Sequence, residues 1–150
     1  VIVKTDYIDL RNISGLLHKA IVVDDYVLLN LKDEKIEHVF IEQALMFFRR
    51  GGSTAKTMST LQNFNGVVSW LCFKLLELEP QYITPISARS KCGIKVPRGK
   101  KAKDVVMEHF LKSKEFQIDY TRYGNVQKYC YDIADAVVVA RAGLKIILDT

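Results

Sequence analysis

Apolar residues recur along this chain at spacings that predict an alternation of strands and helices. Over residues 12–31 they repeat at three- and four-residue steps, as in an amphipathic helix that Asn12 would cap. Residues 38–43 form an apolar run without alternation, which favours a strand covered on both faces. Residues 4–10 alternate loosely and predict another strand, as do residues 81–86, where Pro85 cuts the run.

Three more helices complete the predicted order. A long one begins after a Ser53 or Thr54 cap and runs to about residue 78 with two apolar stripes. Such a helix needs cover on more than one side, from the core or from a second subunit. A basic loop at 87–103 precedes a short helix at 104–113. An irregular stretch at 113–128 then leads to the last helix, at 131–148. This order predicts a single-domain α/β layer fold.

Composition narrows the class of protein. The 150 residues are 49% apolar and 26% charged, which is typical of one globular domain. No apolar run is long enough for a membrane span, and residues 1–10 do not resemble a signal peptide. Three widely spaced cysteines suggest reduced thiols and an intracellular protein. The net charge of +5 attracts polyanions such as nucleic acids.

Three acidic residues are candidates for metal chemistry. Glu42 follows a predicted buried strand, at the sheet edge where ligands bind. Asp132 and Asp135 share one face of the last predicted helix, where their repulsion costs stability unless a cation lies between them. Hard divalent cations such as magnesium take carboxylate oxygens, so three converging acids would form such a site. A strand-end surface glutamate and two helix-capping acids are the alternative.

Basic residues cluster in two places. Seven occur within residues 89–103 with no acid between them, and they repel one another unless a phosphate backbone relieves the repulsion. These seven are Arg89, Lys91, Lys95, Arg98, Lys100, Lys101 and Lys103. Arg49 and Arg50, beside two glycines and a helix start, are a second candidate phosphate contact. A solvated flexible loop is the other interpretation of the first cluster.

In order along residues 5–145, three motifs resemble those of RuvC-type Holliday-junction resolvases, in the retroviral-integrase superfamily. Ile41-Glu42-Gln43 before a long helix is similar to the second acidic motif of that family. The basic stretch at 99–105 is similar to the one before its penultimate helix. Asp-x-x-Asp at 132–135, within small residues, is similar to its closing motif. The resemblance implies a ribonuclease-H-like mixed sheet flanked by helices.

The resemblance also implies a function. Family members nick four-way DNA junctions as homodimers, and four carboxylates bind two magnesium or manganese ions in each subunit. This carries metal binding onto Glu42, Asp132 and Asp135. It places Lys103 and Lys91 near the scissile phosphate. Such ions, about 4 Å apart, activate a water and stabilise the leaving 3′ oxygen.

Two departures from the family pattern qualify the expectation. An aromatic that inserts at the junction centre follows the family's glutamate, but Leu45 stands nearest here; Phe47 or Phe48 would substitute or pack in the core. The family's opening strand carries Asp-x-Gly, which this sequence lacks.

We therefore expect an N-terminally incomplete domain without its first strand or hairpin, and a chain that does not cut DNA as given. The rival expectation is that Asp6 or Asp9 bridges the metals. Two other functions stay open: a branched-DNA-binding module that has lost an acid, and a different ribonuclease-H-fold nuclease acting on flaps or hybrids.

Overall fold

The computed structural model describes residues 1–44 and 55–150, which form a mixed α/β arrangement. The described parts hold five helices and a two-stranded parallel sheet. In chain order the elements are α1 (Leu16–Asn30), β1 (Phe40–Glu42), α2 (Ala55–Leu76), β2 (Gln81–Ile83), α3 (Pro85–Lys91), α4 (Ala102–Ser113) and α5 (Lys128–Leu148). The predicted caps Ser53 and Thr54 lie outside the described residues.

The chain divides into two compact units, and each is described by itself. We call Ile8–Thr84 the sheet unit, and Val1–Tyr7 together with Pro85–Thr150 the helical unit. The single-domain interpretation stays a prediction.

The sheet unit contains both strands, as the apolar runs predict. β1 and β2 pair in parallel with Phe40 opposite Gln81 and Glu42 opposite Ile83. A parallel pair needs a crossover connection, and α2 lies within it. α1 packs against α2 through a core formed by Val23, Val27 and Leu71.

α2 buries one side and exposes another. Leu71 and Cys72 are buried, whereas Trp70 and Phe73 are 59% and 53% exposed with ring centroids 6.4 Å apart. Leu71 and Cys72 belong to the two predicted apolar stripes, whereas Trp70 and Phe73 lie on a separate, exposed face of α2. Within the described residues, each helix is too short or too polar to cross a membrane.

The helical unit is built around α5, against which α3 and α4 pack. Cys130, Ala134 and Ala142 are almost fully buried, because small side chains let neighbouring helices approach closely. Phe110 of α4 is also fully buried. The predicted last helix is confirmed. Its Val137–Val139 run is buried, so packing overrides the strand propensity of valine there.

The predicted strand at residues 4–10 is wrong, since no strand forms there. Asp6 Oδ1 accepts a hydrogen bond from the Tyr7 backbone N–H (2.8 Å), and Asp9 Oδ1 accepts one from the Arg11 N–H (3.1 Å). Such local side-chain bonds compete with a strand ladder.

The predicted start of the first helix at Asn12 is also wrong. α1 begins after Gly15, whose φ of 89° breaks the regular backbone.

The basic loop predicted at 87–103 is partly wrong, because α3 occupies its first residues. Pro85 starts that helix, where the missing N–H of proline is harmless. Gly93 ends it with φ 71°; its N–H donates to Ser90 O (3.1 Å), and the Ile94 N–H donates to Arg89 O (3.0 Å). This pair of bonds is the Schellman motif, which glycine adopts without a Cβ clash. Pro85 also explains why β2 stops at Ile83.

The three cysteines are free thiols, as predicted. Burial raises the pKa of the Cys72 and Cys92 thiols, which keeps both protonated at neutral pH. The Cys92 Sγ–H donates to the Val138 carbonyl (3.4 Å) and so ties the end of α3 to α5.

Candidate metal and nucleic-acid site

Two of the predicted acids lie together on α5, in the helical unit. Asp132 is exposed and Asp135 is half-buried, one helical turn apart on the same face. Between them, Ile133 and Ala134 point into the core, which fixes the rotation of the helix and turns the acids away from that core. Local sequence therefore determines their placement. Residues three apart share a helix face, so the two acids lie on one face and the apolar residues between them lie on another.

The environment of the pair disfavours two negative charges. Partial desolvation raises the pKa of Asp132. Desolvation also raises the pKa of Asp135, and the negative charge of Asp132 raises it further. Neither carboxylate forms a salt bridge with any residue that the structure describes. Desolvation and mutual repulsion thus make two ionised carboxylates costly here, and a bound cation would offset that cost.

Two basic side chains act on the pair from neighbouring helices. The positive charge of Lys103 on α4 lowers the pKa of Asp132, although less than desolvation raises it. Arg89 on α3 acts in the same way on Asp135. Lys103 Nζ lies 5.2 Å from the centroid of the Tyr131 ring, a cation–π contact that positions the ammonium group beside Asp132. Each acid thus has one positive charge nearby.

The other predicted phosphate contacts of residues 89–103 belong to the same unit. Lys91 lies on α3, and its carbonyl accepts a hydrogen bond from Lys145 Nζ (2.6 Å). Four more lie in the loop between α3 and α4: Lys95, Arg98, Lys100 and Lys101. Arg89 is half-buried, and the other six basic side chains are exposed. The structure therefore brings a basic surface and an acidic pair onto one packed group of helices.

Glu42 lies in the other unit. It is exposed at the carboxyl end of β1, and its backbone carbonyl accepts a hydrogen bond from Asn65 Nδ2 (3.0 Å). Its convergence with Asp132 and Asp135 stays a prediction, because each unit is described by itself. Five positions fall outside the described residues: the predicted phosphate contacts Arg49 and Arg50, and the junction-centre positions Leu45, Phe47 and Phe48.

The rival acids have local partners. Arg11 donates to both carboxylate oxygens of Asp9 (2.9 and 2.7 Å), and these bonds lower the pKa of Asp9 to about 2. Asp9 belongs to the sheet unit and Asp6 to the helical unit. A carboxylate held by a forked guanidinium has few lone pairs left for a metal, which weakens Asp9 as a bridging ligand.

The acidic pair could hold one divalent cation whose remaining ligands are waters and phosphate oxygens. Within residues 1–44 and 55–150, no group of three His, Cys, Asp or Glu residues could hold a metal. Magnesium commonly uses one or two carboxylates, keeps several waters and takes the remaining oxygens from a phosphate. Asp132 and Asp135 meet that requirement for one ion. A second ion in the site stays a prediction that depends on a further acid.

Sequence reasoning placed Arg89 among the DNA contacts and missed its closeness to Asp135. The cause is the predicted loop at 87–103, whose first residues belong to α3. Pro85 and Gly93, a proline at the first helical position and a glycine just past the end, bracket a short helix and are the signal that would have found it. With that helix in place, Arg89 lies on a face that packs against α5.

No family model, curated protein or solved structure matches this chain. The resemblance to RuvC-type resolvases therefore consists of its three ordered motifs, and the function rests on the residues themselves.

Proposed function

We propose that this protein is a magnesium- or manganese-dependent endonuclease that nicks branched DNA, with four-way junctions as its substrate. One observation carries the proposal: the acidic pair on α5 lies beside Lys103 and Arg89, within the unit that holds the basic residues 89–103. Acids that need a cation, next to a surface that attracts phosphate, are the two requirements of metal-dependent phosphodiester hydrolysis.

The residues divide the work by charge. Asp132 and Asp135 would hold the divalent cation through their carboxylate oxygens, with Glu42 as a third ligand in the ribonuclease-H-like arrangement that we propose for the whole fold. Lys103 would contact the scissile phosphate and stabilise the charge that grows on it during cleavage. When bound, the metal supplies an activated water and stabilises the leaving oxygen.

The basic surface would position the DNA. The exposed lysines and Arg98 at 91–101 would bind phosphates without reading the bases, and so would fix the orientation of a duplex arm. Arg89 has a different role, because it is half-buried near Asp135. We assign it to charge balance at the acidic pair, which it provides before any metal binds.

A second candidate is a module that binds branched DNA without cutting it. The sequence has no Asp-x-Gly, and the described residues lack a group of three metal-binding side chains. A module that only binds DNA would share both features, because holding DNA needs no metal-binding acids. It predicts the same basic surface and the same preference for junctions.

The experiment compares a labelled four-way junction with a duplex of equal length. Binding is measured in EDTA, and nicking is measured after addition of Mg²⁺ or Mn²⁺. The proposal expects tighter binding to the junction. It also expects nicks that disappear in Asp132→Asn and Asp135→Asn, in contrast to the expectation from the missing Asp-x-Gly that the chain as given does not cut. Asp149→Asn, an exposed acid that follows the same helix, is the matched control.

The possible results separate the two candidates. Junction binding without nicks would make the chain a binding module. Equal affinity for junction and duplex would contradict both candidates, and nicks that survive both aspartate substitutions would contradict the proposed site.

A further inference from the structure

Residues 119–127 form a compact hairpin between α4 and α5, which we call the tyrosine hairpin. Tyr120 and Val126 pair in an antiparallel bridge, and the Thr121 N–H donates to Asn125 O (2.7 Å). At the tip, Thr121 Oγ1 accepts hydrogen bonds from the backbone N–H groups of Tyr123 and Asn125, both at 3.3 Å. Gly124 makes the reversal with φ 82°. The tip is therefore an ordered turn.

The tip presents aromatic rings to solvent. Tyr123 is 75% exposed and Tyr120 is 54% exposed. The guanidinium carbon of Arg122 lies 4.7 Å from the centroid of the Tyr123 ring, and Arg122 Nη2 donates to the Tyr123 hydroxyl (2.5 Å). Lys128 adds a second exposed positive charge at the base. Exposed aromatics beside cations are poorly explained by packing, since neither ring lies in the core.

Side-chain contacts connect the base of the tyrosine hairpin to α5. Tyr129 donates a hydrogen bond from its hydroxyl to Asp119 Oδ2 (2.5 Å), which lowers the pKa of Asp119 and raises that of Tyr129 to about 12. Gln117 Nε2 donates to the other Asp119 oxygen (3.0 Å), and the Tyr129 ring stacks on Tyr7 at 4.1 Å. Asp119, the hairpin's acid, is therefore engaged at the base and does not neutralise Arg122 at the tip.

We propose that the tyrosine hairpin binds unpaired nucleotides, with Tyr123 stacking on a base and Arg122 and Lys128 contacting the adjacent phosphates. Single-stranded nucleic acid is recognised by this combination, because every base has a stacking face and every linkage carries a negative charge. A protein partner would be the other occupant of such a surface. The adjacent guanidinium and ring favour nucleic acid, because a single strand carries a phosphate for the guanidinium next to a base for the ring.

The position of the hairpin relates it to the acidic pair. Gln127 immediately precedes α5, and Asp132 lies five residues further, about 7.5 Å along the helix axis at 1.5 Å per residue. This part of the inference rests on the proposed function: a four-way junction whose base pairs open at the crossover would offer unpaired bases close to the strand held at Asp132. Binding of single strands by the hairpin does not itself require cleavage.

Fluorescence anisotropy of the full chain in EDTA tests the inference. The probes are a labelled 15-nucleotide oligothymidylate and a labelled duplex of the same length. Tyr123→Ala should weaken binding of the single strand by about 5- to 100-fold, the effect of losing one stacked base, and change duplex binding less than about twofold. Tyr123→Phe keeps the ring and should bind as the parent does. Tyr123→Leu keeps apolar bulk without a π face and should behave like Tyr123→Ala.

Unchanged binding of the single strand by Tyr123→Ala would overturn the inference, as would equal reductions in affinity for single strand and duplex. Full affinity in Tyr123→Leu would also overturn it, because apolar contact would then suffice. Thermal unfolding of each variant checks that the exposed substitution leaves the fold intact. Since EDTA removes metal, failure here is distinct from failure of the nuclease, which is judged by nicking and by Asp132 and Asp135.

Discussion

Asp132 raises the pKa of Asp135, one turn away on the same face of α5. Burial acts on Asp135 in the same direction and is the larger cause, while Arg89 opposes both. The pair therefore lowers the stability of the metal-free protein at neutral pH. Ionisable groups that destabilise the ligand-free protein, and that a bound ligand would stabilise, are typical of functional sites.

The pH dependence of stability follows from the sign of this shift. The folded state raises the pKa of Asp135 above its ordinary value of 3.8, so the folded chain binds that proton more tightly than the unfolded chain. The stabilising contribution is complete below the ordinary pKa and is lost as the pH rises through the folded-state pKa.

Asp135→Asn removes the charge, so we expect it to raise the Tm in EDTA at pH 7 and not at pH 3.5. Relief of the like-charge pair alone is worth about 0.2–0.5 kcal/mol in the free energy of unfolding, or about 2 °C at most. Circular dichroism at both pH values measures it, with Asp149→Asn as the control. A lower Tm at pH 7 would show that Asp135 stabilises the fold as an ion.

DNA affinity should depend on salt through the basic residues before and within α4. Replacement of Lys100, Lys101 and Lys103 by Ala should weaken binding to a four-way junction. The slope of log affinity against log salt should fall by roughly 0.9 for each phosphate that the variant no longer neutralises, up to about 2.7. Lys32, Lys35 and Lys74, three exposed lysines of the sheet unit, form the matched control. An unchanged slope would mean that residues 100–103 are merely solvated.

Self-association should involve α2, on the exposed face that carries Trp70 and Phe73. Trp70 and Phe73 are more than half exposed on that helix, and a two-fold dimer would match the two symmetric cuts of a four-way junction. Trp70 is the only tryptophan in the 150 residues, so its fluorescence reports on this face alone. We expect its emission to shift to the blue as protein concentration rises through the micromolar range.

Sedimentation should show a dimer over the same concentrations, and Trp70→Glu should remove it. Leu17→Glu places the same charge at an exposed residue of α1 and should leave the dimer intact. A monomer at every concentration, with or without junction DNA, would contradict this prediction.

Much of the local structure was predictable because it depends on apolar spacing. The strands at 40–42 and 81–83 and the helices α1, α2, α4 and α5 follow that spacing to within a few residues. Residues 4–10 were predicted wrongly, because alternation there competes with the hydrogen bonds of Asp6 and Asp9. α3 was missed because its seven residues are too few to show a helical period, and its signal is the bracketing Pro85 and Gly93.

The candidate site was predictable only where its residues are neighbours in sequence. Asp132 and Asp135 share a helix face through spacing alone, and the structure confirms that face. The approach of Lys103 and Arg89 depends on how α3 and α4 pack against α5, which no local pattern encodes. The exposure of the rings in the tyrosine hairpin likewise cannot be predicted from local sequence, because it depends on which residues the fold buries.

The proposed function depends on metal binding at Asp132 and Asp135, which paramagnetic NMR can locate. Substoichiometric Mn²⁺ is added to the ¹⁵N-labelled protein, and paramagnetic broadening of the amide signals is mapped along the chain. We expect the strongest broadening at residues 131–136, its loss in Asp132→Asn and Asp135→Asn, and its retention in Asp149→Asn. Broadening that is absent there, or that persists unchanged in both aspartate variants, would contradict the assignment of Asp132 and Asp135 as the metal site.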